Sequence, residues 1–225
     1  MKSSSDYRAL ARETLDGRWN EFALLTLLVV AIAMVVSAPT MVGSMLGTLG
    51  DMAWLNGTSS GLSTVISILV IVPLEYAMYN LFLTYVRREE VREGNIHELF
   101  RDFSTNWSSY VVAGVLMTIV IVLVMLPTLF IGSIIFALAY SIVPFVIRDN
   151  PGIGAREALR LSRMMMRGHK ADLFLLELSF IGWALLCCLC PIGLLWLSPY
   201  MYMSVAHFYE DVKAEYQITH EDLAA

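Results

Sequence analysis

Ionisable side chains within apolar segments are the residues of this chain best suited to chemistry. Glu75 is the deepest of them, since it lies twelve residues before Arg87, which is about 18 Å at about 1.5 Å per helical residue. A charged carboxylate at that depth in a membrane is costly, so it must be protonated, paired or facing water. Glu75 is thus either a proton or cation site in a translocation path or a neutral acid hydrogen-bonded between helices. The second interpretation is favoured because the sequence offers no other part of a pathway.

Glu177 and His207 form a second candidate pair. They fall near the same ends of two apolar segments that a hairpin would place side by side. We therefore expect a contact between the two side chains. It would tie two helices together or, as the alternative, relay a proton.

A cysteine cluster near the end of one apolar segment resembles a metal site only at first sight. The thiols of Cys187, Cys188 and Cys190 point around a helix, and no histidine stands at ligand spacing. A tetrahedral metal site needs four donors. We predict no metal, no cofactor and no catalytic residue. Catalysis usually needs convergent polar groups, and only Glu75 lies deep in an apolar segment, so we do not expect an enzyme.

A basic stripe is the clearest surface feature. It recurs at helical spacing and consists of Arg156, Arg160, Arg163, Arg167 and Lys170. On a helix at the inner leaflet, each such residue gains about 1 kcal/mol from anionic headgroups. The three methionines at 164–166 are expected to insert into lipid beside the stripe. The alternative is a docking face for a protein or nucleic acid, and nucleic acid is not expected because the net charge is −5.

Long apolar segments must position these residues. Hydrophobic residues make up 57% of the chain and charged residues 16%, a balance that indicates a membrane protein. About 20 apolar residues cross a bilayer as a helix. We predict an all-α fold in which residues 1–225 form a single membrane domain. Its six transmembrane helices are expected at residues 22–46, 62–86, 108–128, 131–147, 173–190 and 192–209.

The basic residues indicate the sidedness of these helices. All 15 Lys and Arg residues lie outside the predicted spans, in segments that share one face if the spans cross back and forth. Cytoplasmic segments retain Lys and Arg, so both termini and two long loops are predicted to be cytoplasmic. The four basic blocks are Lys2, Arg8, Arg12 and Arg18; Arg87, Arg88, Arg92 and Arg101; Arg148, Arg156, Arg160, Arg163, Arg167 and Lys170; and Lys213.

Amphipathic segments precede the odd-numbered spans. Helices that lie at the membrane interface are predicted at residues 5–16, 95–104 and 152–167, because each is too short and too polar to span. The last of them follows Asp149, Asn150 and Pro151, a sequence that indicates a helix start.

This layout suggests a threefold internal repeat in which an interfacial helix leads into a transmembrane hairpin. Matching Gly17 with Gly168 also aligns three further pairs, which are Leu10 with Leu161, Arg12 with Arg163, and Glu21 with Asp172. The middle unit shares the layout but little identity. The alternative is that any cytoplasmic helix leading into a span has this pattern.

The third unit carries a resemblance to a known family. The residues in question are Ala158, Leu159, Ser162, Met165, Met166, Gly168, His169, Lys170, Leu173, Phe174, Leu176, Leu178, Ser179, Phe180, Ile181, Gly182, Trp183, Ser198, Pro199, Tyr200, Phe208 and Tyr209. In this order they resemble the bacterial integral membrane proteins grouped as domain-of-unknown-function family 975. The resemblance covers most of the chain and is strongest from 156 to 209. It implies a multi-helix protein of the bacterial inner membrane and brings no established activity.

Two functions follow as expectations. The first is a non-enzymatic inner-membrane protein that organises lipids or partner proteins at the cytoplasmic face, with anionic headgroups, a second copy or another membrane protein as partners. The alternative is a small transporter or channel subunit that uses Glu75.

Overall fold

The computed structural model describes residues 2–49, 64–87, 95–128 and 131–224. Every regular element in these ranges is helical, which confirms the all-α prediction. The helices are α1 Ser4–Leu15, α2 Trp19–Leu49, α3 Val72–Val86, α4 Asn95–Thr128, α5 Ile131–Tyr140, α6 Val143–Asp149, α7 Ala155–Met165, α8 Lys170–Leu178, α9 Ile181–Leu189 and α10 Leu194–Ala224. A π-helical turn at Ser67–Ile71 precedes α3, and a 3-10 turn at Pro191–Gly193 precedes α10.

Within the described residues, three helices are long and apolar enough to cross a membrane. They are Trp19–Gly43 in α2, Thr64–Val86 through α3, and Ile96–Val120 in α4, and the fractions of their apolar windows buried inside the protein are 22%, 44% and 17%. Large apolar side chains therefore face outward, and Met34 and Val35 are 66% and 74% exposed. Apolar surface of this extent matches lipid better than water.

The centre of the bundle is formed by α3 and α10. Helix α3 packs against α4, α6 and α10, and α10 also contacts α1 and α2. Aromatic rings fill the contacts: the centroids of Phe22 and Phe82 are 5.1 Å apart, and those of Phe145 and Tyr209 are 4.9 Å apart. Such ring pairs contribute about 0.5–1.5 kcal/mol each beyond their buried area.

The predicted spans at 131–147 and 173–190 are interrupted in the structure. The first is divided into α5 and α6 because Pro144, at the start of α6, has no N–H to continue the helical hydrogen bonds. The second is divided into α8 and α9 at Ser179, whose hydroxyl donates to the Leu176 carbonyl at 2.6 Å. The predicted sixth span, 192–209, is only the first part of the longer helix α10.

The predicted interfacial segments 5–16 and 152–167 contain the separate helices α1 and α7. Helix α7 buries Ala158, Ser162 and Met165 against the bundle, and the Ser162 hydroxyl donates to the Ala139 carbonyl at 2.9 Å. Met165 and Met166 are 5% and 0% exposed. The prediction that all three methionines insert into lipid is therefore wrong for these two, which pack in the protein core.

The first and third units correspond in structure as well as in sequence. Gly17 and Gly168 both have positive φ, at +74° and +99°. When the two glycines are aligned, α2 and α8 begin at equivalent positions, Trp19 and Lys170. Buried residues then coincide in five pairs: Tyr7 with Ala158, Ala11 with Ser162, Leu15 with Met166, Phe22 with Leu173, and Leu25 with Leu176. These two units therefore share five buried positions, as expected for an internal repeat.

The middle unit differs from this design. The predicted interfacial helix at 95–104 and the predicted span at 108–128 are one continuous helix, α4. When the buried Tyr110 is aligned with Phe22, Thr105 occupies the position of Gly17. Thr105 stays helical and donates to the Arg101 carbonyl at 2.8 Å. The helix continues because neither glycine nor proline occurs between Asn95 and Ala113.

We expect Gly168→Ala to lower the free energy of unfolding by about 1 kcal/mol, because an alanine Cβ strains a left-handed residue. No atom lies within 4 Å of the added Cβ, so backbone strain alone is tested. The measurement is SDS-induced unfolding in mixed micelles. Gly182→Ala is the matched control, since Gly182 lies inside α9 with open space; alanine there should be neutral or stabilising. Equal stability of Gly168→Ala and the unmodified chain would contradict the prediction.

Candidate functional site: the charged end of the bundle

A buried carboxylate, Asp149, gathers charged residues from three helices. It is the last residue of α6, and its side chain is 9% exposed. Two nitrogens of Arg87, which follows α3, donate to its two oxygens at 2.6 Å each. From α10, Lys213 donates at 2.6 Å and the Tyr209 hydroxyl at 2.8 Å. Tyr209 and Lys213 are four residues apart, so they project from the same face of the helix.

The Asp149 cluster, defined as Asp149, Arg87, Tyr209, Lys213 and Glu210, is completed by a second acid. Glu210 accepts from Nε of Arg87 at 2.8 Å. Burial by itself raises the pKa of Asp149, but hydrogen bonds from Arg87, Lys213 and Tyr209 outweigh burial and lower the pKa to about 2. Burial by itself lowers the pKa of Arg87, but its bonds to the two acids raise that pKa above its usual value. Asp149 and Arg87 are therefore both charged near neutral pH.

A second polar cluster ties α3 to α4. Asp102 accepts hydrogen bonds from Asn80 at 3.0 Å, from the Tyr110 hydroxyl at 2.8 Å and from Asn106 at 2.9 Å. Arg148, next to Asp149, donates to the backbone carbonyl of Asn80. Within the described part of the chain, the side-chain oxygen of Asn80 is buried without a hydrogen-bond partner.

A third polar cluster at the charged end of the bundle connects the α1 region to α10. Lys2 pairs with Asp211 at 2.7 Å, and the Tyr7 hydroxyl donates to the same carboxylate at 3.0 Å. Burial first, and then the nearby charge of Asp211, raise the pKa of Tyr7 above its usual value. Helix α1 is thus fixed to α10 by a hydroxyl that stays protonated near neutral pH.

The four basic blocks therefore meet at one end of the bundle. Three ion pairs connect them. Lys2 of the first block pairs with Asp211, which lies two residues before Lys213 of the fourth block. Asp149, next to Arg148 of the third block, pairs with Arg87 of the second block and with Lys213. The sequence places these blocks on one face only if the apolar segments run back and forth, and the contacts agree with that arrangement. Arg88 and Arg92 of the second block lie outside the described residues.

The sequence-predicted acids lie elsewhere. Glu75 is exposed on the outside of α3, and no hydrogen bond or ion pair connects it to another described residue. Glu177 is likewise exposed on α8. The hydrogen-bonded form of Glu75 favoured from the sequence is therefore not formed among these residues.

His207 has a different partner from the one predicted. Its Nε2 lies 3.0 Å from the hydroxyl oxygen of Thr14 on α1, and no contact with Glu177 occurs among the hydrogen bonds and ion pairs of the described residues. Helix α1 covers this face of α10. A hairpin of two spans predicts the contact between Glu177 and His207, but a third helix, α1, lies beside His207 instead.

The arginine stripe is accessible as predicted. The side chains of Arg156, Arg160, Arg163 and Arg167 are all exposed, and Lys170 is half-buried. The buried face of α7 contains Ala158 and Ser162 and points away from the arginines. The stripe is therefore free to contact a ligand or a surface outside the bundle.

The sequence interpretation missed the acids that organise the charged end. Asp149 was assigned to a helix start, but it ends α6, and α7 begins only at Ala155. Asp102 and Glu210 were not selected at all. Both acids lie close in sequence to a basic residue or to the end of a predicted span, which indicates a position at the charged end. Sequence proximity does not indicate which side chains they contact.

Two surface cavities flank the contact between α1 and α10. One, of about 470 Å³, is lined by polar residues that include Glu13, Arg18 and His207. The other, of about 460 Å³, is apolar apart from one end, and its lining includes Trp183, Trp196 and Arg12. We call the second cavity the tryptophan groove.

The described residues form an all-α protein in which three helices of membrane-spanning length meet at one charged end. Comparison with known families identifies the family. The chain belongs to the family described as "Protein of unknown function (DUF975)", whose model matches residues 1–141 and 113–216. The two matched segments overlap at 113–141. No curated protein and no solved structure matches the chain.

We expect Asp149→Asn to lower the free energy of unfolding by about 3 kcal/mol, because the partly buried Arg87 loses its bidentate partner. Unfolding is followed by SDS titration in mixed micelles. Glu98→Gln is the matched control, because Glu98 pairs with the half-exposed Arg101 one turn away, and such pairs contribute about 0–1 kcal/mol. Equal effects of the two substitutions would contradict the central position of Asp149.

The same variant provides a pH test. The folded-state pKa of Asp149 lies below the ordinary 3.8, so its stabilisation is complete above that value and is lost as the pH falls toward about 2. The thermal midpoint in nonionic detergent should fall more steeply over this interval for the unmodified chain than for Asp149→Asn. Parallel curves would show that the carboxylate is not preferentially ionised in the folded state.

Proposed function

We propose that this chain is a non-enzymatic, multi-spanning protein of the bacterial inner membrane that organises anionic lipids and partner proteins at its cytoplasmic face. The observation that carries the proposal is the meeting of all four basic blocks at one end, with the arginine stripe of α7 exposed there. Lys and Arg remain on the cytoplasmic side. Both termini are accordingly assigned to the cytoplasm.

Six membrane crossings are part of the proposal. Helices α2, α3 and α4 supply three. The remaining three are assigned to α5 with α6, to α8 with α9, and to the first part of α10, all of which carry outward-facing apolar side chains. On α8 and α9 these are Phe174, Leu175, Leu178, Ile181, Trp183, Leu185 and Leu186, each between 42% and 64% exposed. Lipid contact accounts for such a surface, whereas water does not.

The chemistry of the stripe supports lipid as its first ligand. Arg156, Arg160 and Arg163 follow one face of α7, Arg167 lies in the turn just after it, and the opposite face of the helix is packed in the core. The helix cannot rotate without disrupting that packing, so the guanidinium groups stay on the outside of the bundle. Arginine binds phosphate groups through two parallel hydrogen bonds, which matches the headgroups of anionic phospholipids.

Transport through Glu75 is the weaker candidate. An intramembrane carboxylate serves transport where it faces a bundle interior or a wet cavity. Glu75 is exposed on the outside of the described helices, so no observation on those helices favours that function over lipid organisation.

We expect replacement of all four stripe arginines by glutamine to reduce, by about fivefold, the enrichment of phosphatidylglycerol over phosphatidylethanolamine among lipids that co-purify with the chain. Each removed charge forfeits about 1 kcal/mol of attraction for the headgroup beside it, which is about a fivefold preference at that site. Lipid extraction and quantification after purification from mixed vesicles provides the measurement.

The matched control replaces the same four residues by lysine, which keeps the charge and should keep most of the enrichment. If the glutamine variant retained the enrichment of the unmodified chain while eluting as the same folded species, the stripe would have no role in lipid recruitment.

A further inference from the structure

We propose that the tryptophan groove binds one anionic phospholipid, with the headgroup phosphate on Arg12 and an acyl chain along Trp183 and Trp196. This inference rests on the proposed membrane location but concerns a different surface from the stripe of α7. The groove is formed by α1, the start of α2, α9 and the first half of α10, and it has a volume of about 460 Å³.

The charged end of the groove is held in place. Nε of Arg12 donates to the Tyr200 hydroxyl at 2.9 Å, and the guanidinium carbon lies 5.7 Å from the centre of the Tyr200 ring. That ring is itself packed between Trp19 at 6.0 Å and Phe180 at 5.0 Å. Within the described part of the chain, the two terminal nitrogens of Arg12 form no hydrogen bond. They are therefore oriented and available for a phosphate.

The rest of the groove is apolar. Its walls consist of Trp183, Leu186, Cys187, Trp196 and Leu197. Gly193 forms the far end, and a Cβ there would lie 3.0 Å from the sulfur of Cys187. From Gly193 to Tyr200 the chain advances about 10 Å at about 1.5 Å per residue. A ligand with one anionic end and an apolar tail fits this gradient of polarity.

The dimensions and openness of the groove favour a lipid over a protein segment. Ligand cavities occupy about 300–1,000 Å³, whereas an α-helix with side chains is about 10 Å wide or more and needs a broader surface. Trp183 and Trp196 are 55% and 39% exposed, so the groove opens sideways. On a membrane-embedded chain, that opening admits a bilayer lipid without passage through water.

The test uses lipids whose brominated acyl chains quench tryptophan fluorescence on contact. Two versions of the full chain are reconstituted in phosphatidylcholine vesicles, each with a single tryptophan and phenylalanine at the other four tryptophan positions. One retains Trp196 in the groove, and the other retains Trp107, an exposed residue of α4. Brominated phosphatidylglycerol or brominated phosphatidylcholine is then added in increasing mole fraction.

We expect brominated phosphatidylglycerol to quench Trp196 at about one tenth of the mole fraction that brominated phosphatidylcholine requires, because a charge-assisted hydrogen bond supports about a tenfold preference. Trp107 should be quenched equally by both lipids. Arg12→Gln should remove the preference at Trp196, and Arg12→Lys should retain part of it. Arg18→Gln is the matched control, because Arg18 lies over the Tyr85 ring at 5.1 Å in the other cavity, and it should leave the preference unchanged.

The outcomes separate this inference from the proposed function. If neither lipid quenches Trp107, the chain is not in the bilayer and the proposed function fails with it. If both quench Trp107 but act equally on Trp196, the groove inference alone is overturned. Quenching of Trp107 with none at Trp196 also overturns it, because no acyl chain then lies in the groove. A preference that survives Arg12→Gln, or a free fatty acid that displaces the brominated phospholipid at lower concentration, overturns the assigned headgroup contact.

Discussion

The ionised carboxylate of Asp149 constrains the rest of this structure. A buried charge is tolerated only when it is paired and hydrogen-bonded, and Asp149 meets that requirement with Arg87 from the end of α3 and with Lys213 and Tyr209 from α10. These residues are far apart in sequence, so the pairing fixes the relative positions of three helices. Because α3 and α10 form the centre of the bundle, the position of the charged end follows from this single group.

The division of the molecule into a charged end and apolar flanks follows from the same physics. Charged and polar side chains lie together at one end, where they find hydrogen-bond and ion-pair partners. Away from that end, the helices expose apolar side chains such as Val35 of α2. Left-handed glycines at Gly17 and Gly168 turn the chain between α1 and α2 and between α7 and α8. Each turn returns an amphipathic helix to the bundle, which leaves the arginines of α7 on the outside. This exposed face is the one that we propose binds lipid headgroups.

Much of this architecture was predictable because periodicity and charge placement are local properties. The sequence predicted α1 and α7, two of the three long apolar helices within a few residues, and the equivalence of Gly17 and Gly168. Interruptions such as those at Pro144 and Ser179 were missed, since apolar composition does not distinguish one long helix from two short ones. The partners of Asp149 and His207 depend on packing between distant helices. No spacing rule in a single sequence specifies them.

The most direct test of the account is the sidedness of the charged end. Single cysteines at Lys2, Arg92, Arg160 and Lys213, introduced into a chain whose native cysteines are replaced by serine, can be probed with a membrane-impermeant maleimide. The account predicts labelling in inverted vesicles and none in intact spheroplasts at all four positions, because the four blocks share the cytoplasmic face. Labelling of any of them from the periplasmic side, in a folded chain, would contradict it.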